Sequence, residues 1–193
     1  MKTALLTVMM MALLSSVALA EGPPMRIADF DKGKLVTLWD GLVGEWYDNT
    51  NSRTVASIAA ADALASPDGR CLKMVYDTTG FPHYSGVFMK LGAMATDGKW
   101  PTLDGKDTTG ISLWVKGLCR FAVEIKSTNP AGGLHVAKTT IVGSNSWKRV
   151  AIPYGKMKGR INKAAIEEIV FVFSDLLSGR RGVVLVDQIA LDR

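Results

Sequence analysis

The chain has 193 residues, of which 48% are hydrophobic and 21% charged, with a formal net charge of +5. That length holds one domain with a full hydrophobic core, and the high apolar content excludes a disordered chain. The two Cys and two His lie at scattered positions, which excludes a zinc site, whose ligands come as closely spaced pairs.

The chain opens on a secretion signal. Lys2 supplies the positive start, Ala4 to Leu14 is an apolar run, and Ala18-Leu19-Ala20 is the small-x-small pattern at which a signal peptidase cuts. The apolar run is shorter than the about 20 residues a membrane span needs. Residues 1–20 are therefore read as a signal peptide, 21–25 as a linker and 26–193 as one domain, exported to the periplasm or secreted. No later segment reaches membrane length. Removing the single Lys of the signal leaves a mature charge of +4. Lys156, Lys158, Arg160 and Lys163, and the pair Arg180-Arg181, are the only local concentrations of charge. They are read as solvated positions, because nucleic-acid binders gather charge into a stripe or patch. Nucleic acid is accordingly not an expected partner.

Strand-like runs then recur between Gly, Pro, Asn and Asp clusters. Arg26 to Phe30 is the first, and Trp46-Tyr47 opens the next region. Arg53 to Ala60 reads as a strand weakened by its alanines, and Ser66-Pro67-Asp68-Gly69 as a turn. Cys71 to Tyr76, Ser85 to Leu91, Ile111 to Lys116, Cys119 to Lys126, His135 to Val142 and Trp147 to Tyr154 follow. Ala164 to Glu168 reads as one or two helical turns, and Ile169 to Phe173 and Gly182 to Leu191 close the chain. About ten short strands with little helix predict an all-β sandwich. The continuous apolar runs at 169–173 and 183–186 suit strands buried on both faces. In Cys119 to Lys126 the alternation puts Phe121, Val123 and Ile125 inward and Arg120, Ala122, Glu124 and Lys126 outward.

The outward residues suggest a binding surface. Trp46-Tyr47 and His83-Tyr84 sit at loop or strand edges, where an aromatic face stacks on a sugar ring while its polar handle stays wet. By parity Trp114 faces outward with Ser112 and Lys116, and it is expected to share a polar groove with Arg120, Glu124, Lys126 and Lys138. Trp39 and Trp147, in apolar surroundings, are expected in the core. Asp29 and Asp31 end the first strand and Asp187 lies in the last, so oxygen ligands at paired strand ends offer a place for Ca²⁺. Catalysis has no signature. There is no Gly-x-Ser-x-Gly, no phosphate-cradling loop, and Glu167 and Glu168 on a helix would diverge rather than form an acid pair. The protein is not expected to be an enzyme. Cys71 and Cys119 permit one disulfide or two buried thiols.

An ordered set of motifs carries a resemblance. It comprises Asp29-Phe30-Asp31, Gly44-Glu45-Trp46-Tyr47, Pro67-Asp68-Gly69-Arg70-Cys71-Leu72-Lys73-Met74 and Tyr84-Ser85-Gly86-Val87-Phe88. It continues with Gly110-Ile111-Ser112-Leu113-Trp114-Val115-Lys116-Gly117, Trp147-Lys148-Arg149-Val150-Ala151-Ile152-Pro153 and Val186-Asp187-Gln188-Ile189-Ala190-Leu191. Over nearly all of the mature chain this resembles the galactose-binding-like jelly-roll modules, in particular family 11 carbohydrate-binding modules and complex I intermediate-associated protein 30 domains. The resemblance implies a two-sheet jelly roll whose concave sheet binds a carbohydrate chain. It also implies a structural Ca²⁺ on Asp31 and Asp187, with Asp29 and Asp68 as further ligands. The family pattern commonly has a second acid where Gln188 stands and Glu where Asp31 stands. The alternative partner, implied by the assembly-factor relatives, is another protein.

Overall fold

The computed structural model describes residues 22–47, 52–60, 69–79 and 84–193. Among the described residues twelve strands form: β1 (Met25–Ala28), β2 (Val43–Tyr47), β3 (Arg53–Ala60), β4 (Arg70–Asp77), β5 (Tyr84–Lys90) and β6 (Gly110–Lys116) in the first half. β7 (Arg120–Thr128), β8 (Leu134–Val142), β9 (Lys148–Pro153), β10 (Lys158–Gly159), β11 (Ile166–Ser174) and β12 (Arg181–Asp192) complete them. The only α-helix among the described residues is the single turn α1 (Asp175–Ser178), which Ser174 caps by accepting a hydrogen bond from the Leu177 amide. The expected signal peptide and linker start lie outside the described residues. No helix among those described is long and apolar enough to cross a membrane.

The strands assemble into two six-stranded antiparallel sheets. The first has the order β3-β4-β12-β6-β9, with β1 also on β12; the second is β10-β8-β7-β11-β5-β2. β12 is long enough to take two partners on one side. Residues 181–186 pair with β4 and residues 189–191 with β1, while β6 runs along the other side. The expected all-β jelly-roll sandwich is therefore present.

Inward residues of both sheets build one core. Phe121, Phe171 and Phe173 from the second sheet meet Leu72, Met74, Ile111 and Leu113 from the first, all fully buried. Tyr76 stacks on Phe173 with ring centroids 4.5 Å apart, and its hydroxyl donates to the Ser178 carbonyl at 2.7 Å. Along one edge the sheets are joined by polar contacts. The hydroxyls of Thr54 on β3 and Ser85 on β5 lie 2.7 Å apart, and the Ala56 amide donates to Glu45 on β2 at 2.7 Å.

Three expectations change. Residues 166–168 belong to β11, not a helix; only Lys163–Ala165 make a 3₁₀ turn. Pairing on both sides with β5 and β7 outweighs the local helix preference of the two glutamates. The run at 183–186 is not buried on both faces: Val184 and Val186 are in the core, but Val183 is 45% exposed, since no described residue covers it on the outer face of the first sheet. Trp39 is 38% exposed and Trp147 partly buried, so neither belongs to the core. Of the two alternatives open for the cysteines, the structure has no disulfide between Cys71 and Cys119.

Candidate binding groove

Side chains alternate across a strand, so every second residue of the second sheet faces away from the core. The register sets these outward residues in rows. Trp46, Gly86, Val172, Ala122 and Thr140 lie side by side. Gly44, Phe88, Val170, Glu124, Lys138 and Lys158 form the next row, and Lys90, Glu168, Lys126 and Val136 a third. Two hollows follow the rows. One, of about 390 Å³, is lined by Leu42, Trp46, Phe88, Lys90, Trp100, Glu124, Lys126, Glu168 and Val170. The other, of about 650 Å³, is lined by Trp46, Tyr84, Ala122, Glu124, Lys138, Thr140, Lys156, Lys158 and Val172 among others. Trp46 and Glu124 line both, so the hollows form one groove across the sheet.

Two glycines let aromatic side chains lie flat on its floor. A Cβ on Gly44 would sit 2.5 Å from the Phe88 ring, and a Cβ on Gly86 would sit 2.6 Å from Trp46 Nε1. The indole therefore rests against bare backbone, with its Nε1 buried and without a hydrogen-bond partner among the described residues.

One end of the groove carries a dense ion-pair network. Lys90 Nζ lies 2.7 Å from Glu167 Oε1 and 2.6 Å from Glu168 Oε2, and Lys126 Nζ lies 2.7 Å from Glu168 Oε1. Burial works to lower the Lys90 pKa, but hydrogen bonds and charge from Glu167 and Glu168 outweigh it and hold the pKa above its ordinary value. The ammonium also sits 5.7 Å from the Trp100 ring centroid. The two consecutive glutamates thus converge on one lysine. The cause is a break in the β11–β7 register between Ile166 and Glu168, which upsets strict alternation.

Of the residues expected at a binding surface, the structure gathers Trp46, Tyr84, Glu124 and Lys126 in the groove. Tyr47 neighbours Trp46 on β2 but is 56% exposed and does not line it. Arg120 shares the outward parity of Glu124 but lies at the exposed start of β7, opposite Val142. Trp114 is separated from the others. It lies on β6 of the first sheet, opposite Asp187 and Arg149, so the sandwich stands between it and Glu124. Parity was read correctly, but parity does not say which sheet a strand joins. His83 lies outside the described residues. Phe88, Lys90, Trp100 and Glu168 were not anticipated. Phe88 and Lys90 alternate with the buried Val87 and Met89, which was the available signal.

The candidate metal residues lie where β1 meets β12. Asp187 is fully buried, its Oδ1 accepts from the Gln188 amide at 2.7 Å, and its Oδ2 has no partner among the described residues. Burial, with the charges of Asp31 and Asp29 nearby, raises its pKa to about 7. Phe30, between Asp29 and Asp31, and Gln188, at the register break of β12 beside Asp187, adopt positive φ of 58° and 47°. No three Asp, Glu, His or Cys side chains among the described residues are gathered to hold a metal ion. The orphaned, acid-flanked oxygen fits a cation by charge alone; Asp68 lies outside the described residues.

No family model matches the chain, and no curated protein does. Solved structures do. A family 11 carbohydrate-binding module from Clostridium thermocellum, in complex with a β-1,3-1,4-mixed-linked tetrasaccharide, superposes with a TM-score of 0.66 at 19% identity, covering 87% of this chain and 94% of that one. The chain shares the two-sheet jelly-roll fold of that module. A family 30 module of a C. thermocellum cellulosomal cellulase gives a TM-score of 0.61 at 13% identity over 87% of this chain and 96% of that one. The resemblance to complex I intermediate-associated protein 30 domains is not confirmed by these comparisons.

Proposed function

We propose that the protein is an exported, non-catalytic module that binds a carbohydrate chain in the groove on the outer face of the second sheet. The observation that carries the reading is the aromatic floor, where Gly44 and Gly86 give room for Phe88 and Trp46 to present flat faces between polar side chains. Such faces suit the C–H surface of a sugar ring, and Glu124 and Thr140 offer partners for its hydroxyls. The fold shared with carbohydrate-binding modules, one of them solved with a bound tetrasaccharide, supports the same reading.

The test is calorimetric titration of the mature protein with soluble glycans. Trp46→Ala should weaken binding at least about ten-fold, as loss of a central aromatic anchor does. Unchanged affinity would remove the groove from consideration. Export is tested by the mass of the protein recovered from outside the cytoplasm, which should begin at Glu21.

The reading extends to Ca²⁺ near Asp187, with Asp31, Asp29 and Asp68 as the residues that would hold it. A bound ion would neutralise the acid cluster and tie β1 to β12. Ca²⁺ should then raise the melting temperature, and Asp187→Asn should abolish the rise. Equal melting with Ca²⁺ and with chelator would exclude the ion.

A further inference from the structure

The groove is charged unequally along its length. At the end nearest Trp100, Lys90 and Lys126 are both neutralised by Glu167 and Glu168. At the other end Lys138, Lys156 and Lys158 line the wall, and none of their ammonium groups meets a described acid. Lys138 and Lys158 are direct cross-strand partners on β8 and β10. Like charges in that relation are unfavourable in the free protein. Glu124, the one acid lining this hollow, sits opposite Lys138 on β7 yet makes no ion pair with it. Among the described residues the hollow thus gathers three lysines against one acid, an excess of positive charge, with Trp46 and Tyr84 also lining it.

We propose that this groove takes an acidic polysaccharide, a chain bearing carboxylate or sulfate groups, with its anions at Lys138, Lys156 and Lys158 and its ring faces on Trp46 and Tyr84. The inference rests on the carbohydrate reading of the groove. A neutral glycan would leave the repulsion between Lys138 and Lys158 in place, whereas an acidic one relieves it. Lysine acts on an anion as a compact point charge and favours neither carboxylate nor sulfate by shape. The two sources are therefore separated by experiment. The sequence hides the cluster, because Lys138 is brought beside Lys158 only by the pairing of β8 with β10.

The experiment is calorimetric titration of the mature protein with four probes: oligogalacturonate, its methyl ester, a sulfated galactan and a mixed-linked β-glucan. Each is run at low and at high salt. The methyl ester keeps the sugar chain and removes the charge. The proposal expects oligogalacturonate or the sulfated galactan to bind, and whichever binds identifies the anion. Binding should weaken at high salt, where screening shortens to about 3 Å at 1 M. The triple variant Lys138→Gln, Lys156→Gln, Lys158→Gln should lose roughly ten-fold in affinity, the sum of three exposed charge contacts. Its melting temperature, measured alongside, shows that it is folded. Trp46→Ala should weaken binding of the same probe. The proposal is overturned if the methyl ester or the β-glucan binds as tightly as the charged chains, or if the triple variant binds unchanged; the carbohydrate reading then stands. If none of the four binds, both readings fall. Equal binding of an acidic chain to wild type and Trp46→Ala, lost at high salt, would show only non-specific anion attraction and overturn the proposal.

Discussion

Glu168 holds two lysines from neighbouring strands while only 6% exposed. Removing one partner of a buried pair is costly because the others are left charged and unpaired, typically by about 3–5 kcal/mol. Lys90 keeps Glu167, so Glu168→Ala should cost about 3 kcal/mol in urea unfolding. A loss below about 1 kcal/mol would mean that water already screens the network. Asp187 makes the opposite kind of prediction. Its folded pKa is raised to about 7, above the ordinary carboxyl value. The folded state therefore holds a proton that the unfolded chain releases, and stability should fall as pH rises from about 4 to about 7, then level off. Asp187→Asn should flatten this slope in thermal scans made with chelator present. An unchanged slope in the variant would assign the pH dependence to another group.

At the scale of elements, β3 shows what a sequence conceals. Its alanines and serine are poor strand formers, yet Arg53–Ala60 pairs residue for residue with β4. The strand is also fastened across the sandwich by the hydrogen bond between Thr54 and Ser85, both buried. Thr54→Val would leave the Ser85 hydroxyl without its partner and should cost about 1–3 kcal/mol, whereas Thr54→Val with Ser85→Ala removes both ends and should cost less than the two single changes added. Additive costs would show that the hydroxyls do not depend on each other. The same long-range logic explains the error at Ala164 to Glu168, where two adjacent glutamates read as helix until β5 and β7 claim them. Strands with clean alternation, such as β7, were legible because the period of two is written in the residues themselves. Trp114 alternates as cleanly, but its distance from the groove is set by the pairing of β6 with β12 and β9. Half of the groove was visible for the same reason. Trp46, Glu124 and Lys126 announce themselves, while Lys90, Trp100 and Glu168 acquire meaning only when three separate segments meet.

The whole molecule decides a question that spacing left open. Cys71 and Cys119 could pair in an oxidising compartment if their strands brought them together. They are held apart instead. Cys119 packs against the core beside Tyr76, whereas Cys71, five residues back along β4, has the opposite parity to Tyr76 and stands outside that core. The Cα atoms of Cys71 and Tyr76 are roughly 16 Å apart at about 3.3 Å per residue, and the two thiols lie on opposite faces of β4, whereas a disulfide needs Cα atoms within about 7 Å. Cys71 is fully buried, its thiol facing the Ala59 carbonyl at 3.7 Å, and burial raises the pKa of Cys119. Both thiols should therefore be slow to react in the folded protein. The expected result is that the exported protein, prepared without reductant, yields two titratable thiols on unfolding and melts at the same temperature with and without dithiothreitol. A mass two hydrogens lighter, with a melting point that drops on reduction, would require a different relation between β4 and the turn entering β7. The stacking of Tyr76 on Phe173 makes that rearrangement expensive, because the ring beside Cys119 is itself part of the core.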